Sequence, residues 1–360
     1  MNYIILCDTT YQILSAISFR LGHTSDCDRV DLLVDTLRTS NVDMEALALK
    51  VREHNVFTNV YCFKNYQGKY KSIVSIIKVA EWVMPRIIYK LMTKNIKNDC
   101  KYDTVVVSGP FSTQRCLIAA YPRSNVCFIE DGLGSYIGRS GIKELSWRGK
   151  IAQRIFKYSP IHIYPKSLYL YSPGFYDGEY RLITKKLLFP KDRIELLDCI
   201  FSIKESVIKK LYRNYRFIYF SQLLSANDKG MQVESILINA IKNKFKDDFI
   251  VRPHPRGERA IYDGLNIDDS YNQWELCCTE INDRSVLISS WSTALFVPKL
   301  IYDLEPVVIF TYKIYGNNYV EEAVKRLKEA YSHKERVICV TSIEELVSNI
   351  ADLKKDQDDE

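Results

Sequence analysis

The sequence predicts an α/β protein made of two parallel-sheet domains, residues 1–200 and 201–360. Short, fully apolar runs rich in β-branched and aromatic residues recur along the chain, separated by stretches of helical periodicity. Strands that read as continuously hydrophobic are buried on both faces, which is the pattern of a parallel sheet covered by helices. The same alternation runs twice, and 360 residues are more than one domain usually holds.

Tyr3-Ile4-Ile5-Leu6 opens the first domain as a buried strand, and residues 11–21 carry the periodicity of the helix after it. Residues 30–34 and 59–62 are the next strands. Residues 104–107 follow and end in Ser108-Gly109-Pro110; residues 126–129 end in Glu130-Asp131-Gly132. Between 159 and 210, Pro160, Pro165, Pro173 and Pro190 restrict the chain to short strands and loops, and the domain junction falls at 190–210. The second domain repeats the scheme. Residues 217–220 end at Ser221-Gln222, 249–251 lead into Arg252-Pro253-His254-Pro255, and 285–288 lead into Ser289-Ser290-Trp291-Ser292-Thr293. Residues 306–310 and 337–340 are later strands, 342–353 a closing helix, and 354–360 a charged, frayed tail.

Composition narrows the function classes. Hydrophobic residues at 47% and charged residues at 26% exclude a disordered or collagen-like chain. A net charge of +6 is too mild for a dedicated nucleic-acid binder. The 25 tyrosines suit either a sugar- or base-handling surface or plain core filling. Ten cysteines include no CxxC pair, and several sit in apolar runs, as buried free thiols do in a reducing compartment. The first fifteen residues lack a basic leader, and no apolar span reaches the ~18 residues a membrane helix needs. A cytoplasmic protein is expected.

In such sheets ligands gather beyond the carboxyl ends of the strands, and each polar cluster named above lies at one. Glu130-Asp131-Gly132 offers a carboxylate that partial desolvation can tune to accept a proton, beside a glycine that permits close approach; the plain alternative is a turn. In Arg252-Pro253-His254-Pro255 the prolines restrict the imidazole and the flanking arginines, Arg252 and Arg256, suit a phosphate, or the histidine is a structural turn residue. The hydroxyls of Ser290, Ser292 and Thr293 suit a phosphate or simply cap a helix. No GxxxxGK[ST], GxGxxG or HExxH is present, and the one DxD, Asp26-Cys27-Asp28, precedes a strand.

An acid pair, then HP, then a serine-rich segment about 35 residues later, in this order, resembles the lipooligosaccharide and capsule sialyltransferases of glycosyltransferase family 52, which are related to the bacterial polysialyltransferases. Thr9-Thr10-Tyr11-Gln12 resembles their TxYQ segment. Trp274-Glu275-Leu276 resembles their ribose-binding segment, with Trp274 where proline is common. The likeness runs from residue 7 to about 296. It implies a GT-B fold, two Rossmann-like domains facing a central cleft, and an inverting, metal-independent transferase with no cofactor besides the donor, CMP-sialic acid. It implies Asp131 as general base with Glu130 as fallback, and His254 at the departing CMP phosphate. It also implies Ser290, Ser292 and Thr293 on that phosphate and Glu275 on the ribose, with Thr10, Gln12, Gly132, Ser221, Arg252 and Pro255 lining the substrates. The expected partner is a glycan acceptor rather than a nucleic acid. Transfer of another CMP-ulosonic acid such as Kdo, or binding without catalysis, remains an alternative.

Residues 64–97 carry Lys64, Lys69, Lys71, Lys78, Arg86, Lys90, Lys94 and Lys97 against the single acid Glu81, interleaved with apolar residues. Such a stretch suits the anionic inner face of the plasma membrane, where a lipid-linked acceptor would be met; the alternative is a helical pair packed on the sheet with its charges solvated.

Overall fold

A computed structural model describes residues 1–36, 42–64, 85–94, 96, 100–109, 112–137, 165–177, 182–203, 208–222, 229–254, 260–270, 272–281 and 284–358. Pro255, Arg256 and most of the basic stretch lie outside the described residues. The chain divides into two compact units, Met1–Ile200 and Phe201–Glu360.

The first unit holds a seven-stranded sheet of β1 (Asn2–Cys7), β2 (Arg29–Asp35), β3 (Asn59–Phe63), β4 (Thr104–Val107), β5 (Asn125–Ile129), β6 (Ser167–Leu170) and β7 (Thr184–Lys186). The order is β3-β2-β1-β4-β5-β6-β7 and every pair is parallel. Ile4, Ile5 and Leu6 of β1 and Val105, Val106 and Val107 of β4 are buried, as continuous apolar runs between two helical layers must be. The helix Thr10–His23 follows β1, and the Thr9 hydroxyl caps it by accepting from the Gln12 N–H at 3.2 Å.

The second unit holds β8 (Phe217–Phe220), β9 (Phe249–Arg252), β10 (Asn266–Ile267), β11 (Val286–Ser289), β12 (Val307–Phe310) and β13 (Val337–Cys339), in the parallel order β10-β9-β8-β11-β12-β13. Its core joins Phe217, Tyr219, Phe249 and Ile288 of the sheet to Leu237, Ile238 and Ile241 of the helix Lys229–Phe245. The closing helix runs over Ile343–Asp358, beyond the frayed start expected at 354. Lys354 explains the difference: its ammonium pairs with Asp248 and its carbonyl accepts from Arg216 at 3.3 Å.

In both sheets the first strand lies beside the fourth, so the winding direction reverses between β1 and β4 and again between β8 and β11. Ligands of open α/β sheets bind beyond the carboxyl ends at such a point. No helix among the described residues is long and apolar enough to cross a membrane.

Candidate functional site

In the first unit, the backbone leaves the sheet beside the reversal under tight control. The first N–H beyond a strand end has lost its ladder partner and needs another acceptor. The Asp8 N–H donates to Gln12 Oε1 at 2.8 Å and the Gly109 N–H to Gln114 Oε1 at 2.9 Å. Both glutamines are fully buried. Gln12 thereby clamps the end of β1 through Oε1, while its Nε2 is buried with no hydrogen-bond partner among the described residues. Thr10 and Tyr11 are half-buried in the first turn of the same helix.

Glu130 and Asp131 differ sharply. Glu130 is buried, and its two oxygens accept from the hydroxyls of Tyr11 and Tyr136 and from the Tyr171 N–H. Glu130 thus holds the end of β5 together, with donors from three separate segments on its carboxylate. Asp131 is half-buried; its N–H donates to Ser135 Oγ at 2.9 Å. Gly132 takes φ 82° and ψ −160°, a region essentially reserved for glycine, and so turns the chain directly after Asp131. Burial pushes the Cys7 thiol well above its ordinary pKa, and the charges of Asp8 and Asp131 add to it, so both carboxylates lie within electrostatic reach of the end of β1. Asp8 is buried at that end. It is not among the strand-end clusters named from the sequence. The usable signal was a carboxylate directly after the first strand of a parallel sheet.

In the second unit, the HP turn is held from β8. The His254 N–H donates to Ser221 Oγ at 2.6 Å, and the Ser221 N–H donates to the Arg252 carbonyl at 3.1 Å. Ser221 thereby supports the histidine through its backbone. Arg252 was expected to face an anion. Its guanidinium instead donates to the Tyr212 hydroxyl, to Asp268 Oδ2 at 3.1 Å and to the Asn272 carbonyl, and lies over the Trp274 ring. Burial would raise Asp268, but Arg252 with the Ser270 and Tyr212 donors outweighs it and holds the carboxyl below its ordinary value. The arginine is a half-buried strut between β9 and the segment Trp274–Cys277.

Glu275 sits in that segment, buried, with one oxygen accepting from Gln273. Burial raises its pKa against the pull of its own backbone, Arg252 and Gln273. The Trp274 indole N–H donates to the Ala294 carbonyl at 2.9 Å, which ties Glu275 to the serine-rich turn after β11. In that turn Ser292 Oγ accepts from the Ala294 N–H at 3.2 Å, which leaves its proton to donate elsewhere. Thr293 is half-buried, and Ser290 is buried with no hydrogen-bond partner for its hydroxyl among the described residues.

No family model matches the sequence, and no curated protein matches it. Solved structures do resemble it. Spinosyn rhamnosyltransferase superposes with a TM-score of 0.58 at 10% identity, over 99% of this chain and 92% of that one. The GT-B domain of a sialyltransferase from Photobacterium damselae gives 0.51 at 11%, over 94% and 99%. The chain has the GT-B fold. UDP-GlcNAc 2-epimerase from Neisseria meningitidis also superposes, at 0.54 and 13% identity, over 99% and 100%. Two of these proteins are named for sugar transfer and one for epimerisation, so the GT-B fold does not select the reaction; the residues at the strand ends must. In this GT-B chain Asp131 stands at the end of β5, His254 at the end of β9, and Ser290, Ser292 and Thr293 at the end of β11.

Proposed function

We propose that this protein is an inverting glycosyltransferase that moves sialic acid from CMP-sialic acid to a hydroxyl of a bacterial surface glycan, a capsule or lipooligosaccharide. The observation that carries the reading is the joint placement of the acid, HP and serine clusters at the carboxyl ends of β5, β9 and β11 on a GT-B fold. Asp131 takes the proton of the acceptor hydroxyl as its oxygen attacks the anomeric carbon. The bond from that carbon to the CMP phosphate breaks, and its electron pair leaves on the phosphate oxygen. His254 hydrogen-bonds or protonates that oxygen, and the hydroxyls of Ser290, Ser292 and Thr293 hold the phosphate while Glu275 takes the ribose. An oxocarbenium-like transition state needs this division: a base on one face and anion stabilisation on the other. CMP is a good leaving group, so the histidine and hydroxyls suffice without a metal ion. Ser221 and Gly132 act here by positioning His254 and Asp131.

The acceptor in this reading is lipid-linked and met at the inner face of the plasma membrane. The helix Pro85–Met92 supports that contact. Arg86, Ile87, Lys90, Leu91 and Lys94 are its exposed residues together with the turn that follows, and they form one cationic and apolar face without an acid.

The test is incubation with CMP-Neu5Ac, CMP-Kdo and UDP-GlcNAc separately, with release of CMP or epimerised sugar measured. Turnover of CMP-Neu5Ac supports the reading. Turnover of CMP-Kdo alone moves the donor to another ulosonic acid, and epimerisation of UDP-GlcNAc replaces transfer by the activity for which the Neisseria neighbour is named. CMP binding without turnover would leave a nucleotide-binding module.

A further inference from the structure

Glu234, on the helix Lys229–Phe245, is fully buried and belongs to none of the clusters above. Three tyrosine hydroxyls converge on its carboxylate. Tyr219 of β8 donates to Oε2 at 2.6 Å, Tyr262 donates to Oε1 at 3.1 Å, and Tyr315 also donates to Oε2. A buried charge needs such donors, but ordinary burial does not require them to come from three separate elements.

Two of the three reach the clusters assigned to the donor. The Ser221 hydroxyl lies beside the Tyr262 phenol, where it works against the burial that raises that phenol's pKa, and Ser221 Oγ accepts the His254 N–H at 2.6 Å. The serine that takes the His254 N–H thus sits next to the phenol that donates to Glu234. On the other side, the Tyr315 ring packs edge-on against Trp291 with centroids 5.5 Å apart. Trp291 lies between Ser290 and Ser292. Tyr219 lies in the core of the sheet, and its hydroxyl also sits beside that of Tyr315.

We infer that Glu234 is a positioning residue that sets the HP turn through Tyr262 and Ser221 and the serine-rich turn through Tyr315 and Trp291. This rests on the reading above that the two turns hold the donor phosphate. One carboxylate then fixes the spacing between the imidazole and the hydroxyls. Hydrogen bonds in a dry interior polarise one another, so removal of a distal hydroxyl is felt along the chain.

The experiment compares Tyr219→Phe, Tyr262→Phe and Tyr315→Phe in the full chain. Each removes one hydroxyl from the same carboxylate, so each is expected to cost comparable stability. CMP affinity, read by calorimetry, should fall about fivefold to tenfold in Y262F and Y315F, the scale of one lost hydrogen bond. It should fall less in Y219F, whose hydroxyl reaches the serine-rich turn through Tyr315. In the ligand-free protein, amide exchange should rise at His254 in Y262F, around residues 290–293 in Y315F, and less in either turn in Y219F. Equal loss of affinity in all three variants, or in none, overturns the proposal. If wild-type protein does not bind CMP yet exchange follows this pattern, the reading of the donor site fails and the positioning role stands. If CMP binds and exchange is the same in all three, the positioning role fails alone.

Discussion

Asp131 and Glu130 are neighbours in sequence with opposite environments, and the difference is measurable. Asp131→Asn should retain CMP binding and lower turnover by about 10² or more, the scale of a lost acid or base. Glu130→Gln should act on stability, since it disturbs a buried acceptor of three donors; a loss of about 1–3 kcal/mol is expected in chemical denaturation. If E130Q abolishes turnover in a fully stable protein, the base is Glu130. Glu234 makes a pH prediction. Its carboxyl is raised above 4.5, by burial first and against the pull of the three tyrosines. The folded state thus holds the proton more tightly than the unfolded chain. The stability contributed by this group is complete below the unfolded value and lost as pH rises through the folded one. Glu234→Gln cannot ionise, so its melting temperature should gain on wild type as pH rises above the unfolded value of 4.5; a constant difference would show that Glu234 does not titrate with a raised pKa. Seven of the tyrosines donate to buried carboxylates: Tyr11 and Tyr136 to Glu130, Tyr102 to Asp31, Tyr212 to Asp268, and the three to Glu234.

Among the elements, β9 owes its attachment to the Trp274–Cys277 segment to Arg252 and Asp268. Asp268→Asn leaves a buried guanidinium without its counter-charge and should cost about 3–5 kcal/mol in denaturant midpoint analysis. Replacing both partners by apolar residues should cost less than D268N alone. A double variant less stable than D268N would show that the pair contributes mainly by packing. The helix Pro85–Met92 carries the other element-scale prediction. Lys90→Gln with Lys94→Gln should weaken binding to anionic vesicles by about 2 kcal/mol, at about 1 kcal/mol per basic residue, with activity on a small diffusible acceptor unchanged. Loss of that activity would place these lysines beside the acceptor instead, and no change in either would leave them as solvated surface.

At the scale of the whole molecule, Phe201–Glu360 has its own sheet and core and contains every residue assigned to the donor. Expressed alone, it should unfold cooperatively and bind CMP with an affinity within about tenfold of the full chain, without catalysing transfer. Failure to bind in a folded fragment would mean that the first unit contributes to the donor site.

The runs at 3–6, 104–107, 217–220 and 249–251 were legible because a strand buried on both faces has no choice but to be continuously apolar. The clusters after β5, β9 and β11 were legible because ligands collect where such strands end. By contrast, β10 has only two residues and β7 reads Thr-Lys-Lys, so neither carries a hydrophobic signal. What each polar side chain does also needed tertiary structure. Arg252 and Asp131 look equally available in the sequence, yet Arg252 is taken by Asp268, Asn272 and Tyr212, while Asp131 stands half-buried before a glycine turn. Glu234 gave no signal at all, because its partners lie 15, 28 and 81 residues away. The sequence by itself determined where strands end and which chemistry gathers there, since burial acts on neighbours in the chain. Which polar groups are bound to one another is a matter of distances across the fold, and only the tertiary structure decided it.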